Sequence, residues 1–89
     1  MISHKFLVSG RVQGVYYRAN VAKRAKAAGF SGYVKNLEDG RVEACVSCQE
    51  SDLVVFKKIL EKGSTLSKVT NIEELVCTEV FSGFFEVRK

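Results

Sequence analysis

The stretch YVKNLEDGRVEACV, residues 33–46, predicts two strands joined by a tight turn. The strands cover Tyr33–Leu37 and Arg41–Val46, and Glu38-Asp39-Gly40 lies between them. An Asp-Gly pair is a strong hairpin signal, because it tolerates the positive φ that a tight turn requires. The middle of the chain is therefore predicted to be a β-hairpin, from which the other elements extend in both directions.

On the N-terminal side of the hairpin, the sequence predicts a strand followed by a helix. Apolar and polar residues alternate over Lys5–Val12, which is typical of a half-buried strand. Residues 18–28 have apolar side chains at helical spacing, and Gly29 follows as a helix stop. The apolar helix positions are Val21, Ala22, Ala25 and Ala28.

On the C-terminal side, the sequence predicts a helix followed by two strands. Ser51 or Asp52 can cap a helix that runs to Lys62 and has an apolar face. A strand is predicted over Val69–Cys77, and a short last strand over Phe84–Arg88. Each side of the central hairpin thus contributes one helix to the fold.

The predicted order is β-α-β-β-α-β with one further strand, which is the α+β arrangement called ferredoxin-like. We expect an antiparallel sheet with two helices on one face and a short extra C-terminal strand. A chain of 89 residues suits one domain, so residues 1–89 are predicted to form a single domain. Many unrelated activities share this fold, and the function has to be inferred from motifs.

The charge of the chain is distributed unevenly. Its net charge is +4, yet residues 1–35 contain no Asp or Glu and hold half of the 14 Lys and Arg residues. A basic region attracts anions, either phosphate compounds or nucleic acid. A solvated basic helix face would give the same composition, so charge alone does not decide between these possibilities.

The cysteines and the apolar pattern indicate a cytoplasmic protein. No apolar run is long enough for a transmembrane helix, and the start lacks the features of a signal peptide. Cys45, Cys48 and Cys77 are an odd number, which does not fit a secreted disulfide framework. Cys45 and Cys48 form a CxxC motif, but residues three apart on a strand point to opposite faces. We therefore expect no metal site there.

The connection between the first strand and the first helix, residues 10–18, has the sequence GRVQGVYYR and suits an anion. The helix has no clear Ser, Thr or Asp cap at its start, so its first N–H groups need another partner. Gly14 lets successive N–H groups converge, and the helix dipole favours an anion there. Arg18 adds a planar fork of donors that suits phosphate.

Gly10–Arg18 resembles the first signature of the acylphosphatase family, which runs Gly, basic, Val-Gln-Gly-Val, any residue, aromatic, Arg. All nine positions agree with it. Gly32-Tyr33-Val34-Lys35-Asn36 is similar to the family's second signature, which runs Gly, aromatic, small apolar, variable, Asn. The interval between the two signatures and the order of the elements are also similar over nearly the whole chain.

The resemblance implies hydrolysis of the carboxyl–phosphate bond of acyl phosphates. It implies catalytic roles for Arg18 and Asn36, with the Asn36 side chain holding the water that attacks phosphorus. It also implies that the 13–18 loop binds the phosphate through backbone N–H groups and the Arg18 guanidinium. The phosphate-binding residues are then Gln13, Gly14, Val15, Tyr16, Tyr17 and Arg18.

The residue types in the two signatures are consistent with this reaction. A phosphate ester must expel an alkoxide, which needs a general acid or a metal. An acyl phosphate expels a carboxylate, whose conjugate acid has a pKa of about 4, so it can leave unprotonated. A site of N–H donors, one Arg and one Asn is therefore sufficient for acyl phosphates, and we expect no cofactor and no metal.

A binding module is the alternative function. Ferredoxin-like domains with basic faces often bind RNA, but their aromatic pattern on the central strands is absent from Val42-Glu43-Ala44 and its surroundings. A non-catalytic domain that binds a small anion is a second alternative, and the presence of both Arg18 and Asn36 argues against it. We expect instead a monomer whose partner is a small acyl phosphate, with inorganic phosphate or sulfate as a competing anion, and with no nucleic acid or membrane partner.

Overall fold

The computed structural model describes residues 2–88, so Met1 and Lys89 of the predicted 1–89 domain lie outside the described residues. The described elements are β1 (Ile2–Arg11), α1 (Tyr17–Ala27), β2 (Ser31–Asn36), β3 (Val42–Cys48), α2 (Leu53–Lys62), β4 (Lys68–Val76) and β5 (Phe85–Arg88). A 3₁₀ turn over Glu50–Asp52 leads into α2. This order confirms the predicted β-α-β-β-α-β arrangement with an additional strand. Neither helix of residues 2–88 is long and apolar enough to cross a membrane.

The five strands form one sheet in the order β4-β1-β3-β2-β5. The pairs β1–β3, β1–β4 and β2–β3 are antiparallel, as predicted, whereas β5 pairs with β2 in parallel. The four strands β1 to β4 thus form the expected antiparallel sheet, and the short extra C-terminal strand makes it mixed by adding in parallel. The reason is the direction of the chain. A strand that reverses direction after β4 runs parallel to β2 when it pairs with β2 at the edge of the sheet.

The hydrophobic core lies between the sheet and both helices, which confirms the predicted helices on one face. Phe6 of β1 is opposite Ala44 of β3, which is also opposite Val34 of β2, and all three are fully buried. Phe56 of α2 packs 5.3–5.8 Å from three aromatic rings, measured between centroids. The helices contribute Tyr17, Val21, Ala22, Ala25, Leu53, Phe56 and Leu60 to this core.

The opposite face of the sheet is partly covered by the segment between β4 and β5. The N–H of Phe81 donates to the Ser47 hydroxyl at 2.8 Å, and the Phe81 ring packs edge-on against Tyr33 at 5.4 Å. Cys45 is buried on this side beside Tyr33, while Cys48 belongs to the core on the helix side. The two cysteines of the CxxC motif thus lie on different faces, and both are free thiols.

Two glycines of the signatures allow neighbouring strands to approach closely. Gly10 has φ 125° at a register irregularity between β1 and β4, and a Cβ there would overlap the carbonyl of Lys68. Gly32 has φ 153°, and a Cβ there would overlap the carbonyl of Cys45 on β3. Since other residues rarely adopt these angles, both positions require glycine for the sheet that carries the site.

Candidate active site

A cleft of about 370 Å³ lies at the N-terminus of α1. One wall is the connection from β1 to α1, and the other walls come from the end of β2 and from β5. The lining residues are Val12, Gly14, Tyr16, Tyr17, Arg18, Ala19, Asn36 and Val87. The cleft therefore brings Arg18 of the first signature and Asn36 of the second signature into one site.

The backbone of the 13–18 loop presents unused hydrogen-bond donors. In the described part of the chain, the N–H groups of residues 14–18 donate to no other protein group. Four of these five residues line the cleft, and α1 has no acidic side chain in its first turn. Backbone donors at a helix start attract an anion, so the cleft is suited to a phosphate group.

The side chain of Gln13 fastens the loop to the β2–β3 hairpin. Its Nε2 donates to the carbonyl of Leu37 at 2.8 Å and to the carbonyl of Arg41 at 2.9 Å. On the other side of the loop, the Ser64 hydroxyl donates to the carbonyl of Val15 at 2.6 Å. These bonds hold the loop at a fixed distance from Asn36, which directly precedes Leu37 at the end of β2.

Tyr17 anchors the start of α1 in the core. Its side chain is buried, and its hydroxyl donates to the carbonyl of Leu60 on α2 at 2.7 Å. Burial raises the pKa of the Tyr17 phenol well above its usual value, so the group is neutral at physiological pH. Tyr17 thus lies at the cleft while its side chain serves mainly to pack α1 against α2.

The guanidinium of Arg18 is held by the last strand. Its Nη1 donates to the carbonyl of Arg88 at 3.0 Å. Arg88 is itself positioned by stacking on Tyr33, 4.0 Å from guanidinium carbon to ring centroid, and by a 2.9 Å bond to Glu86. A guanidinium has five N–H donors, so one bond to the protein leaves others available for a ligand.

Asn36 has an unsatisfied acceptor beside the cleft. Within residues 2–88, its Oδ1 is buried and has no hydrogen-bond partner. A buried acceptor without a partner costs about 1–3 kcal/mol, which favours a bound water or ligand group that can donate to it. Since Asn36 also lines the cleft, its amide is suited to holding a water there.

The structure brings most, but not all, of the predicted site residues to the cleft. Gln13 and Val15 do not line it, and their identified contacts are the bonds to the hairpin and to Ser64. Val87 is a lining residue that the sequence did not indicate, and it reaches the cleft because β5 pairs with β2 and places Val87 opposite Val34. No local pattern indicates this pairing. The bonds from the Gln13 and Ser64 side chains were likewise not indicated by the sequence.

His4 and the cysteines lie outside the cleft lining. His4 Nδ1 is 2.7 Å from the Glu74 carboxylate across β1 and β4. Burial raises the pKa of the Cys45 thiol to about 12, so it stays protonated near neutral pH. Within residues 2–88, no three His, Cys, Asp or Glu side chains are grouped as metal ligands would be.

Comparison with known proteins gives a consistent result. The family model for acylphosphatase matches residues 4–85. An acylphosphatase of Haloarcula marismortui is 46% identical over 87 residues, covering 97% of this chain and 93% of the relative. The crystal structure of acylphosphatase from Bacillus subtilis superposes with a TM-score of 0.90 at 34% identity and full coverage of both chains.

A further solved structure, an acylphosphatase from Coxiella burnetii, superposes with a TM-score of 0.87 at 30% identity. It covers 98% of this chain and 92% of its own. Residues 4–85, which the family model matches, include both signatures, both helices and every residue that lines the cleft except Val87. These similarities confirm the family that the two signatures indicate, and the chain belongs to the acylphosphatase family.

Proposed function

We propose that the chain hydrolyses the carboxyl–phosphate bond of acyl phosphates by direct attack of a water molecule on phosphorus. The observation that carries this proposal is the meeting of Arg18, Asn36 and the unused N–H groups of the 13–18 loop in one cleft. The products are a carboxylate and inorganic phosphate. Membership of the acylphosphatase family supports the same activity.

In this proposal, the loop N–H groups and Arg18 bind the phosphate oxygens. Phosphoryl transfer depends mainly on positioning and on stabilising the charge of the transferred group. Donors that are already fixed by the fold need no reorganisation during the reaction, and Gln13, Ser64 and the Arg88 carbonyl supply that fixation. Inorganic phosphate and sulfate are expected to compete for the same donors.

Asn36 is proposed to orient the attacking water. A neutral amide cannot remove a proton from water as a strong base would, but an amide at the cleft wall can hold a water by hydrogen bonding. The water then faces a phosphorus atom held by the loop and Arg18. We propose that a phosphate oxygen of the substrate takes the proton that the water loses.

The leaving group explains why the cleft suits this substrate class. None of the described lining residues is Asp, Glu, His or Cys, so the cleft offers no carboxyl, imidazole or thiol as a general acid. A carboxylate needs no proton to leave, because its conjugate acid has a pKa of about 4. The cleft is therefore suited to acyl phosphates and poorly suited to phosphate esters.

Release of inorganic phosphate from benzoyl phosphate and acetyl phosphate, with and without EDTA, tests this proposal. We expect turnover of both substrates that EDTA does not change, and little turnover of p-nitrophenyl phosphate, an ester. Phosphate binding without any release from acyl phosphates would contradict the enzyme and favour an anion-binding module. Loss of activity in EDTA would contradict a metal-free reaction.

We also propose that residues 1–89 act as one domain, as a monomer in the cytoplasm, on a small molecule rather than on nucleic acid or a membrane. Three free cysteines, two of them buried, support a reducing compartment. Size-exclusion chromatography with light scattering tests the monomer. A dimer at micromolar concentration would contradict it.

A further inference from the structure

Tyr16 combines a strained backbone with an exposed aromatic ring. Its φ is 63°, the one positive φ of a non-glycine residue in the described chain, and it occupies the N-cap position of α1. The left-handed conformation costs a bulky residue about 1–2 kcal/mol relative to the right-handed one. Strain of this kind is concentrated at ligand sites, where the surrounding structure compensates for it.

The fold gives the Tyr16 ring no structural use. The side chain is 74% exposed, and within residues 2–88 its hydroxyl makes no hydrogen bond. The neighbouring Tyr17 differs in both respects, since its ring is buried and its hydroxyl donates to the Leu60 carbonyl. Packing therefore accounts for Tyr17 and leaves the aromatic side chain of Tyr16 unexplained.

The lining of the cleft is divided between polar and apolar groups. Arg18, Asn36 and the loop N–H groups supply the polar part, and the Tyr16 ring and Val87, which is 46% exposed, supply accessible apolar surface. An acyl phosphate has the same two parts, a charged phosphate and an acyl group. Once the phosphate is bound by the polar part, an acyl group of sufficient size can contact the apolar part.

We propose that Tyr16, with Val87, binds the acyl group and gives the enzyme a preference for aromatic and larger apolar acyl phosphates over acetyl phosphate. This inference rests on the proposed function and adds a substrate class to it. Contacts between two aromatic rings contribute enough to change an equilibrium or rate by about two- to tenfold. The small methyl group of acetyl phosphate offers little surface for such a contact.

The test is the ratio of kcat/KM for benzoyl phosphate to kcat/KM for acetyl phosphate. Tyr16→Gly keeps the backbone N–H and adopts φ 63° without strain, so this variant is expected to fold. We expect it to lower the ratio by about two- to tenfold, and Tyr16→Phe, which keeps the ring, to retain the preference. Val76→Ala, at an 88% exposed apolar residue outside the cleft, is the matched control.

Inorganic phosphate as a competitive inhibitor separates acyl recognition from phosphate binding. Its inhibition constant is expected to stay within about twofold in Tyr16→Gly, since phosphate has no acyl group and the backbone donor is retained. An unchanged substrate ratio, or an inhibition constant that weakens as much as the ratio falls, would overturn the inference. If the unmodified enzyme releases no phosphate from either substrate, the proposed function itself fails, which is a different result.

Discussion

The β1–α1 and β3–α2 connections both lead from a strand into a helix, but they differ in the hydrogen-bond partners of the first N–H groups of that helix. Before α1, the N–H groups of residues 14–18 have no protein acceptor, and the first turn contains no acid. Before α2, the 3₁₀ turn uses its own donors, since Asp52 N–H bonds to the Gln49 carbonyl and Leu53 N–H to the Glu50 carbonyl. Glu50 and Asp52 also place two carboxylates there.

This difference leaves backbone donors available for an anion at the start of α1 and not at the start of α2. Carboxylates near a helix N-terminus interact favourably with the helix dipole, so the second connection supplies its own negative charge. The first connection lacks such a charge and has Arg18 beside its unused donors. Two helix starts at similar places in the fold thus differ in whether their backbone donors are free for the anion site proposed above.

Removing Arg18 is expected to have the largest effect, because it takes away both a full charge and several donors. Arg18→Ala should lower kcat/KM for acyl phosphates by more than about 10³-fold, beyond the loss of a single transition-state donor. It should also weaken competitive inhibition by phosphate. Lys23→Ala removes an exposed charge from the same helix and is the control. A loss no greater than that of the control would contradict the role of Arg18.

Removing the amide of Asn36 should impair turnover without disturbing the anion site. Asn36→Ala is expected to lower kcat by about 10²–10³-fold, the usual effect of losing one positioned polar group. Inhibition by phosphate should change little, because the loop donors and Arg18 remain. Steady-state kinetics and phosphate inhibition check this, with Asn71→Ala on β4 as an exposed control. If phosphate no longer inhibited the variant, the division of roles would be wrong.

Gln13 and Gln49 allow a matched comparison of the two connections. Gln13→Ala should lower the free energy of unfolding by about 1–3 kcal/mol. The reason is that the partly buried carbonyls of Leu37 and Arg41 lose the hydrogen bonds that the Gln13 amide donates to them. Gln49→Ala should change it by less than about 0.5 kcal/mol, since Gln49 is exposed and contributes its backbone carbonyl. Urea unfolding measures both. Equal losses would show that the loop does not depend on Gln13.

Neutralising the acids before α2 should have the smallest effect. The double variant Glu50→Gln with Asp52→Asn is expected to lower stability by about 0.3–1 kcal/mol per charge at low salt, through loss of favourable charge at the helix start. Activity should stay unchanged, because neither residue lines the cleft. Urea unfolding at low and high salt checks the electrostatic origin. A stability loss that salt leaves unchanged would argue against it.

The local patterns of the sequence predicted most of the fold. The Asp-Gly turn indicated the hairpin, and alternating or helical spacing indicated the other elements within a few residues of their observed bounds. The parallel pairing of β5 could not be predicted, because β4 and the crossing segment determine which sheet edge β5 reaches. Short apolar segments carry no information about their partner strand.

For the candidate site, the two signatures indicated Arg18 and Asn36, and the structure places both in one cleft. The bonds that fix the loop were not predictable. Gln13 stands within the first signature, but nothing in the sequence shows that its amide reaches the carbonyls of Leu37 and Arg41. Ser64 lies 49 positions from Val15 along the chain, so their contact depends on the packing of α1 against α2.

The hydrogen bond from Arg18 to the carbonyl of Arg88 spans 70 positions of the chain. It cannot form until β5 has docked beside β2, and contacts of such long range are slow to form during folding. The Arg18 guanidinium is therefore aligned only after the C-terminal strand has joined the sheet. Enzymatic turnover during refolding should therefore not recover before the sheet is complete, which makes activity a reporter of the docked C-terminal strand.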